Sequence, residues 1–158
     1  DTHWSPAGSQ AVANAVAELT NTMTLDLTPA EVTTTPTGHT LFDGDLSQYV
    51  PTGVFRPLVG PAQQTLATYE TIVQSNAGLF GDAQVDVALV GTSFSAKNDW
   101  HFAGFLQQAL QADVVNFASE GQGPFAPMRA FLNAPLLQDA PPKLVIWEIP
   151  ARYTSKDM

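Results

Sequence analysis

Between residues 85 and 149 the sequence alternates short apolar runs with amphipathic stretches, and this alternation narrows the fold more than any other feature. Residues 85–90 read as a short buried strand, and residues 113–117 and 144–149 as a second and a third strand. Between the first two, Trp100, Phe102, Phe105, Leu106 and Leu110 recur at helical spacing and predict a helix over residues 98–111. Pro124 opens a second helix over residues 125–132. Strand, helix, strand, helix, strand is the signature of a parallel sheet with helices packed on its faces, so the expected class is α/β.

Upstream, Ser5-Pro6 is a helix start, with serine as N-cap and proline at the first helical position. Ala7, Val12, Val16 and Leu19 then follow at helix-like spacing, which predicts a helix over residues 6–19. Residues 21–36 are threonine-rich and read as strand and turn. Turns are expected to dominate residues 38–61, where Asp43-Gly44-Asp45 and Pro51-Thr52-Gly53 occur. The Asp43/Asp45 pair lacks the rest of a twelve-residue calcium loop, so an ordinary turn is expected there. Residues 65–73 read as a strand, and Asn76-Ala77-Gly78 with Gly81-Asp82 breaks the chain before the next one.

A length of 158 residues suits one domain, residues 1–158, with 38–61 as an excursion within it. The sequence has no uninterrupted apolar run long enough to span a membrane, and its first residues are not a signal peptide. The chain is therefore read as a piece of a longer precursor, with any export signal or anchor upstream. A net charge of −9 with only six lysines and arginines argues against nucleic acid and anionic membranes as partners. The absence of cysteine excludes disulfides, a thiolate nucleophile and thiolate metal sites. His3, His39 and His101 show no metal-ligand spacing, so no metal site and no cofactor are expected; His39 and His101 read as surface or packing residues.

The first strand of the alternation ends in Gly91-Thr92-Ser93-Phe94-Ser95, which delivers a serine to the rim where open α/β sheets place their ligands. Ser93 is the candidate nucleophile. It needs a base within hydrogen-bond reach and a group to orient that base, and Asp1 and His3 supply both types just ahead of a rigid helix. Side chains two apart on extended backbone share a side, but direct contact between Asp1 and His3 requires a turn. Acyl transfer also needs oxyanion donors. The backbone N–H groups of Phe94, Gly121 and Gly123 and the side chain of Asn116 are the candidates.

Three blocks carry a family resemblance: Asp1-Thr2-His3-Trp4-Ser5-Pro6-Ala7-Gly8, Gly91-Thr92-Ser93-Phe94-Ser95 and Trp147-Glu148-Ile149-Pro150-Ala151-Arg152-Tyr153. In this order they resemble the alginate O-acetyltransferase family AlgJ/AlgX, with closer likeness to AlgJ. The resemblance implies a three-layer SGNH-hydrolase-like α/β fold with a parallel central sheet and rearranged chain order, the Asp-x-His pair preceding the serine. It implies Ser93 as nucleophile, His3 as general base and Asp1 as the orienting carboxylate. It further implies a periplasmic setting, an alginate acceptor, and an acetyl donor supplied by a membrane acetylation partner. Such an acceptor is a polyanion, so Arg129, Arg152 and Lys97 are expected near the site as substrate-binding residues. Three functions stay open from sequence: an O-acetyltransferase working through an acetyl-serine, a carbohydrate acetylesterase with the same residues, and a catalytically silent polysaccharide-binding subunit.

Overall fold

The computed structural model describes residues 1–50, 53–75 and 85–154. The turn signals at Pro51-Thr52, Asn76-Ala77-Gly78 and Gly81-Asp82 lie outside the described residues, as does Lys156.

The helix predicted at Ser5-Pro6 is α1 (Pro6–Asn21), and Ser5 caps it by accepting the Gly8 N–H at 3.2 Å. Such a cap contributes about 1 kcal/mol. Its buried stripe is Pro6, Ser9, Ala13, Ala17 and Thr20, whereas Val12 and Leu19 are exposed and Val16 is only half-buried. The expected face is thus rotated. Small residues face inward because α1 lies close against a neighbouring helix, and bulky side chains would hold the two apart.

The threonine-rich stretch and the turn-rich stretch divide differently from expectation. Strand β1 (Ala30–Phe42) runs through both and pairs antiparallel with β2 (Gln64–Ser75), with a register shift between Pro36 and Gly38. Proline cannot donate to the ladder, which suits the irregularity at that point. The rest of the turn-rich stretch forms a 3₁₀ turn over Asp45–Tyr49, another over Gly53–Phe55, and the single-turn α2 (Arg56–Val59).

The downstream alternation is present as read. Strands β3 (Val87–Val90), β4 (Val114–Asn116) and β5 (Leu144–Trp147) form a parallel sheet in the order β4-β3-β5. Strand β3 is central and fully buried, and its side chains alternate between two cores. Val87 and Leu89 pack with Ala13 of α1 and with Phe102, Phe105 and Leu106 of α4 (Phe102–Leu110). Ala88 and Val90 face the other way, onto Phe131 of α5 (Phe125–Leu132), with Leu136 and Leu137 of α6 (Leu136–Asp139) behind. Burying each large apolar side chain contributes about 1.5–3 kcal/mol, so both faces of the sheet are held by packing. The layers are helix, sheet, helix.

Helix α4 begins four residues later than expected. Trp100 and Phe102 are both 2% exposed, and side chains two apart lie on opposite sides of a helix. An irregular turn, with His101 at φ 53°, lets both point inward before the helix starts. At Gly104 an added Cβ would lie 2.4 Å from Thr71 Oγ1, so only glycine lets β2 pack on α4. His101 Nε2 lies 2.7 Å from that same hydroxyl, giving this histidine the packing role expected of it.

From β3 the chain crosses one face to β4, then returns over the other face to β5. The first crossover leaves β3 toward β4 and the second passes back over β3 to reach β5, so the chain reverses its direction across the sheet around the central strand, and such a reversal is where these sheets open a crevice beyond the carboxyl ends. Ser93 lies at this point.

Candidate active site

Four segments meet at this rim. Strand β3 delivers Gly91 and Thr92 to the short helix α3 (Ser93–Ala96), and β5 delivers Glu148 one residue beyond its end. The loop after β4 is tied alongside by Ser119 N–H donating to Gly91 O at 3.1 Å. The fourth segment is the stretch before α1, held where Trp4 Nε1–H donates to Phe94 O at 3.0 Å.

These ties bring Asp1, His3 and Ser93 together. His3 Nε2 is 2.7 Å from Ser93 Oγ, and His3 Nδ1 is 2.9 Å from Asp1 Oδ1. The turn needed for direct Asp1–His3 contact is made by His3 N–H, which donates to the same Asp1 oxygen at 2.8 Å. Both side chains are mostly shielded, His3 at 8% and Asp1 at 11% exposure. Trp100 stacks on the imidazole with centroids 5.1 Å apart, and Phe94 tilts against it at 4.7 Å.

Burial pulls the His3 imidazole below the ordinary histidine value. Asp45 pulls it back up, Lys97 and Arg152 push it down, and Glu120 adds a smaller upward pull. The net direction favours a neutral ring at neutral pH. With Nδ1–H directed at Asp1, Nε2 is left as the acceptor for the Ser93 hydroxyl.

Two residues of the site were not singled out from sequence. Glu148 holds the serine turn: its carboxylate accepts the Thr92 N–H at 2.7 Å, the Thr92 hydroxyl at 3.0 Å and the Ser95 hydroxyl at 3.2 Å. Gly91 makes room for it, since an added Cβ would stand 2.6 Å from Glu148 Oε2. Asp45, read as part of an ordinary turn, accepts the Thr2 N–H at 2.9 Å and also the Thr2 hydroxyl, and its Oδ2 lies 3.5 Å from His3 Nδ1. Glu148 does have a local signal, because it directly follows an apolar run as the serine turn does. Asp45 has none.

Asp1, His3 and Asp45 offer potential ligand atoms within 4.8 Å of one another. The imidazole nitrogen facing the carboxylates is hydrogen-bonded to one of them, which is the arrangement of acids gripping an N–H donor rather than of a ligand set.

The remaining candidates are distributed unevenly. Phe94 N–H points back at Thr92 Oγ1 over 3.4 Å. Gly121 and Gly123 sit at φ 72° and 64° on the loop after β4, and a Cβ on Gly123 would touch the Tyr153 ring at 3.4 Å. Asn116 is at the same rim, but its amide donates to Ser95 O at 2.9 Å and its carbonyl accepts the Ala118 N–H at 2.9 Å, so it ties two loops together. Arg152 lies over the Phe94 ring at 5.4 Å, and Lys97 Nζ is 3.8 Å from Glu120 Oε2. Arg129 is exposed in the last turn of α5, and among the described residues no hydrogen bond, ion pair or ring contact joins it to Asp1, His3 or Ser93, so the expected place beside the site is not found for it.

Comparison with known proteins agrees with this architecture. Residues 1–151 match a family described as the SGNH hydrolase-like domain of the acetyltransferase AlgX. The chain is 40% identical over 159 residues to a probable alginate O-acetylase, AlgJ, of Pseudomonas putida, covering 97% of this chain and 41% of that protein. The AlgJ of Azotobacter vinelandii is 44% identical over 163 residues, with the same two coverages. Among solved structures, the O-acetyltransferase domain of Pseudomonas putida AlgJ superposes with a TM-score of 0.81 at 36% identity, over 100% of this chain and 54% of that one. Pseudomonas aeruginosa AlgX superposes with a TM-score of 0.77 at 29% identity, over 93% of this chain and 35% of that one. The chain thus spans less than half the length of the AlgJ proteins it resembles. It belongs to the AlgJ/AlgX acetyltransferase family of SGNH hydrolase-like domains.

Proposed function

We propose that this chain carries the active centre of a polysaccharide O-acetyltransferase that moves acetyl groups onto hydroxyls of alginate mannuronate through an acetyl-serine. The observation that carries the reading is the 2.7 Å approach of Ser93 Oγ to His3 Nε2, with Asp1 behind the imidazole. The named relatives, probable alginate O-acetylases, support the substrate class. The setting that fits is the periplasm, with the acetyl donor delivered by a membrane acetylation partner. No helix among the described residues is long and apolar enough to cross a membrane.

In the first half-reaction Ser93 Oγ attacks the acetyl carbonyl carbon while His3 Nε2 takes the hydroxyl proton. The carbonyl electrons move onto oxygen, and backbone N–H groups of Phe94, Gly121 and Gly123 are the candidate donors to that oxyanion. Collapse expels the donor's leaving group, which takes the proton from His3. In the second half a sugar hydroxyl gives its proton to Nε2 and attacks the acetyl-serine, forming the sugar ester. Ser93 then recovers its proton. Asp1 keeps Nδ1 protonated and stabilises the imidazolium in both halves.

The test is intact-protein mass after incubation with a small activated acetyl ester, with and without mannuronate oligomers. A gain of one acetyl group that Ser93→Ala abolishes, and that passes to the oligomer, is the expected result. Acetate released equally without acceptor identifies an esterase, and an acetylated Ser93→Ala protein overturns the assignment of the nucleophile.

A further inference from the structure

The Nδ1 side of His3 faces two carboxylates. Asp1 reaches it along the chain at 2.9 Å, and Asp45 reaches it at 3.5 Å from the connection between β1 and β2. Asp45 is not a passing surface acid. Its two oxygens take the backbone N–H and the hydroxyl of Thr2, the residue between Asp1 and His3, so one side chain grips the whole Asp-x-His segment from outside. Gly44 packs beside it, where an added Cβ would stand 3.3 Å from the Asp1 nitrogen.

We propose that Asp45 is a second positioning carboxylate of the His3 site, fixing the Asp1-Thr2-His3 segment through Thr2 and sharing with Asp1 the stabilisation of the imidazolium formed during acyl transfer. A histidine flanked by two acids gains from both when it becomes charged, and each acid covers in part for loss of the other. Burial works against the Asp45 charge, but the Thr2 hydroxyl, the Thr2 N–H and His3 together hold its carboxyl below the ordinary carboxylate value, so it is ionised at neutral pH. The other charges that bias His3 are Lys97, Arg152 and Glu120. They come from the end of α3 and the loops after β4 and β5, whereas, among the described residues, the carboxylates within 4.0 Å of Nδ1 are those of the two aspartates.

This inference rests on His3 being the base for Ser93, and its test separates the two ideas. Asp45→Asn keeps an oxygen for the Thr2 N–H and an amide for the Thr2 hydroxyl but removes the charge, while Thr2→Val removes the hydroxyl anchor and keeps the charge. The direct readout is the His3 titration followed by NMR, which does not depend on turnover. Asp45→Asn is expected to move that titration to lower pH by about one unit, and to slow acetyl-enzyme formation about tenfold. Thr2→Val is expected to leave the titration in place. Asp1→Asn with Asp45→Asn together is expected to lose more than the product of the single losses, because each single variant retains one carboxylate. An unmoved His3 titration in Asp45→Asn overturns the proposal, as does a double variant no worse than Asp1→Asn alone. Failure of the underlying triad would look different: Ser93→Ala would still be acetylated, whatever happens at Asp45.

Discussion

Glu148 Oε2 accepts the backbone N–H of Thr92 at 2.7 Å, joining the end of β5 to the serine turn across 56 residues of sequence. The same carboxylate takes the hydroxyls on both sides of Ser93, at Thr92 and Ser95. Ser93 is thus mounted between two tethered neighbours. Among the described residues no hydrogen bond joins Glu148 to Ser93 or His3, so it acts on the serine only through the turn it holds.

Removing that mount should cost rate more than fold. Hydrogen bonds to a charged acceptor contribute about 1.5–3 kcal/mol each, and here they hold a geometry on which proton transfer depends. Glu148→Ala is expected to slow acetylation of Ser93 about a hundredfold, and Glu148→Gln, which keeps one acceptor oxygen, about tenfold. Gly91→Ala should mimic the alanine variant, because its methyl group would drive into Glu148 Oε2. Single-turnover acetylation with a saturating small ester measures this. Equal rates for wild type and Glu148→Ala would remove Glu148 from the site.

The pH dependence follows from His3. Its folded value lies below the ordinary 6.5, with burial as the main cause, so the imidazole proposed as the base is neutral at neutral pH. Acetylation rates should therefore be flat through neutrality and fall along an acid limb centred below 6.5. Stability shares the sign. Between the folded and unfolded values the unfolded chain binds more protons, so stability rises with pH across that window, is complete above 6.5, and is lost in acid. His101, whose value burial also lowers, adds to the same trend. Rate profiles and urea unfolding over pH 4.5–8 would check both limbs as an order-of-magnitude design; a rate limb above 6.5 contradicts the burial argument.

Far from the serine, Asp86 is a separate test of the fold. It is 3% exposed at the entry to β3, where its Oδ2 accepts the Thr28 N–H at 2.6 Å and lies 3.0 Å from Lys143 Nζ. Burial opposes its charge, but hydrogen bonds from Thr28 and then Lys143 hold its carboxyl below the ordinary value. That contribution is present above the ordinary carboxylate range and fades as pH falls through the folded value. Lys143→Met should destabilise the protein by about 2 kcal/mol at neutral pH, because it leaves a buried carboxylate short of a partner. Asp86→Asn in the Lys143→Met background should restore part of the loss. Chemical denaturation of the three proteins decides it.

The parts of this fold that could be read from sequence are those whose burial leaves a continuous record. Strands β3 and β5 and helix α5 sit where the apolar runs and Pro124 put them: β3, buried at every position, has no polar alternation to confuse it, and β5, half-buried on one face and exposed on the other, is still an unbroken apolar run. Of the β1–β2 pair, β2 is legible as the strand read over residues 65–73, but β1, which runs on into the stretch expected to be turns, leaves no such record. Leu41, Ile72 and most β1 positions are exposed, so what holds the two strands together is a backbone ladder between segments far apart in the chain. The site divides in the same way. Ser93 announces itself by following a buried strand, and Asp1 with His3 by their spacing. Asp45 and Glu148 act on residues 43 and 56 positions away; Glu148 at least follows an apolar run to the sheet rim, whereas nothing local marks Asp45.

Arg152 offers the sharpest division between acceptor binding and chemistry. Its guanidinium lies 5.4 Å above the Phe94 ring, beside the serine, and its charge pushes the His3 value down. If it receives a uronate carboxylate, Arg152→Ala should raise the KM for mannuronate oligomers about tenfold, the loss of one charge-assisted contact, while changing turnover of a small neutral acetyl ester about twofold or less. The same substitution removes a positive charge from the surroundings of His3, so the acid limb of the rate profile should move to higher pH. Lys97→Ala should shift the limb in the same direction, and its effect on oligomer KM should be smaller because Glu120 already competes for the ammonium group. Arg129→Ala, on the exposed face of α5, should change neither quantity. A KM that rises equally for neutral and charged acceptors would show that Arg152 supports the Phe94 ring instead of reading the substrate's charge.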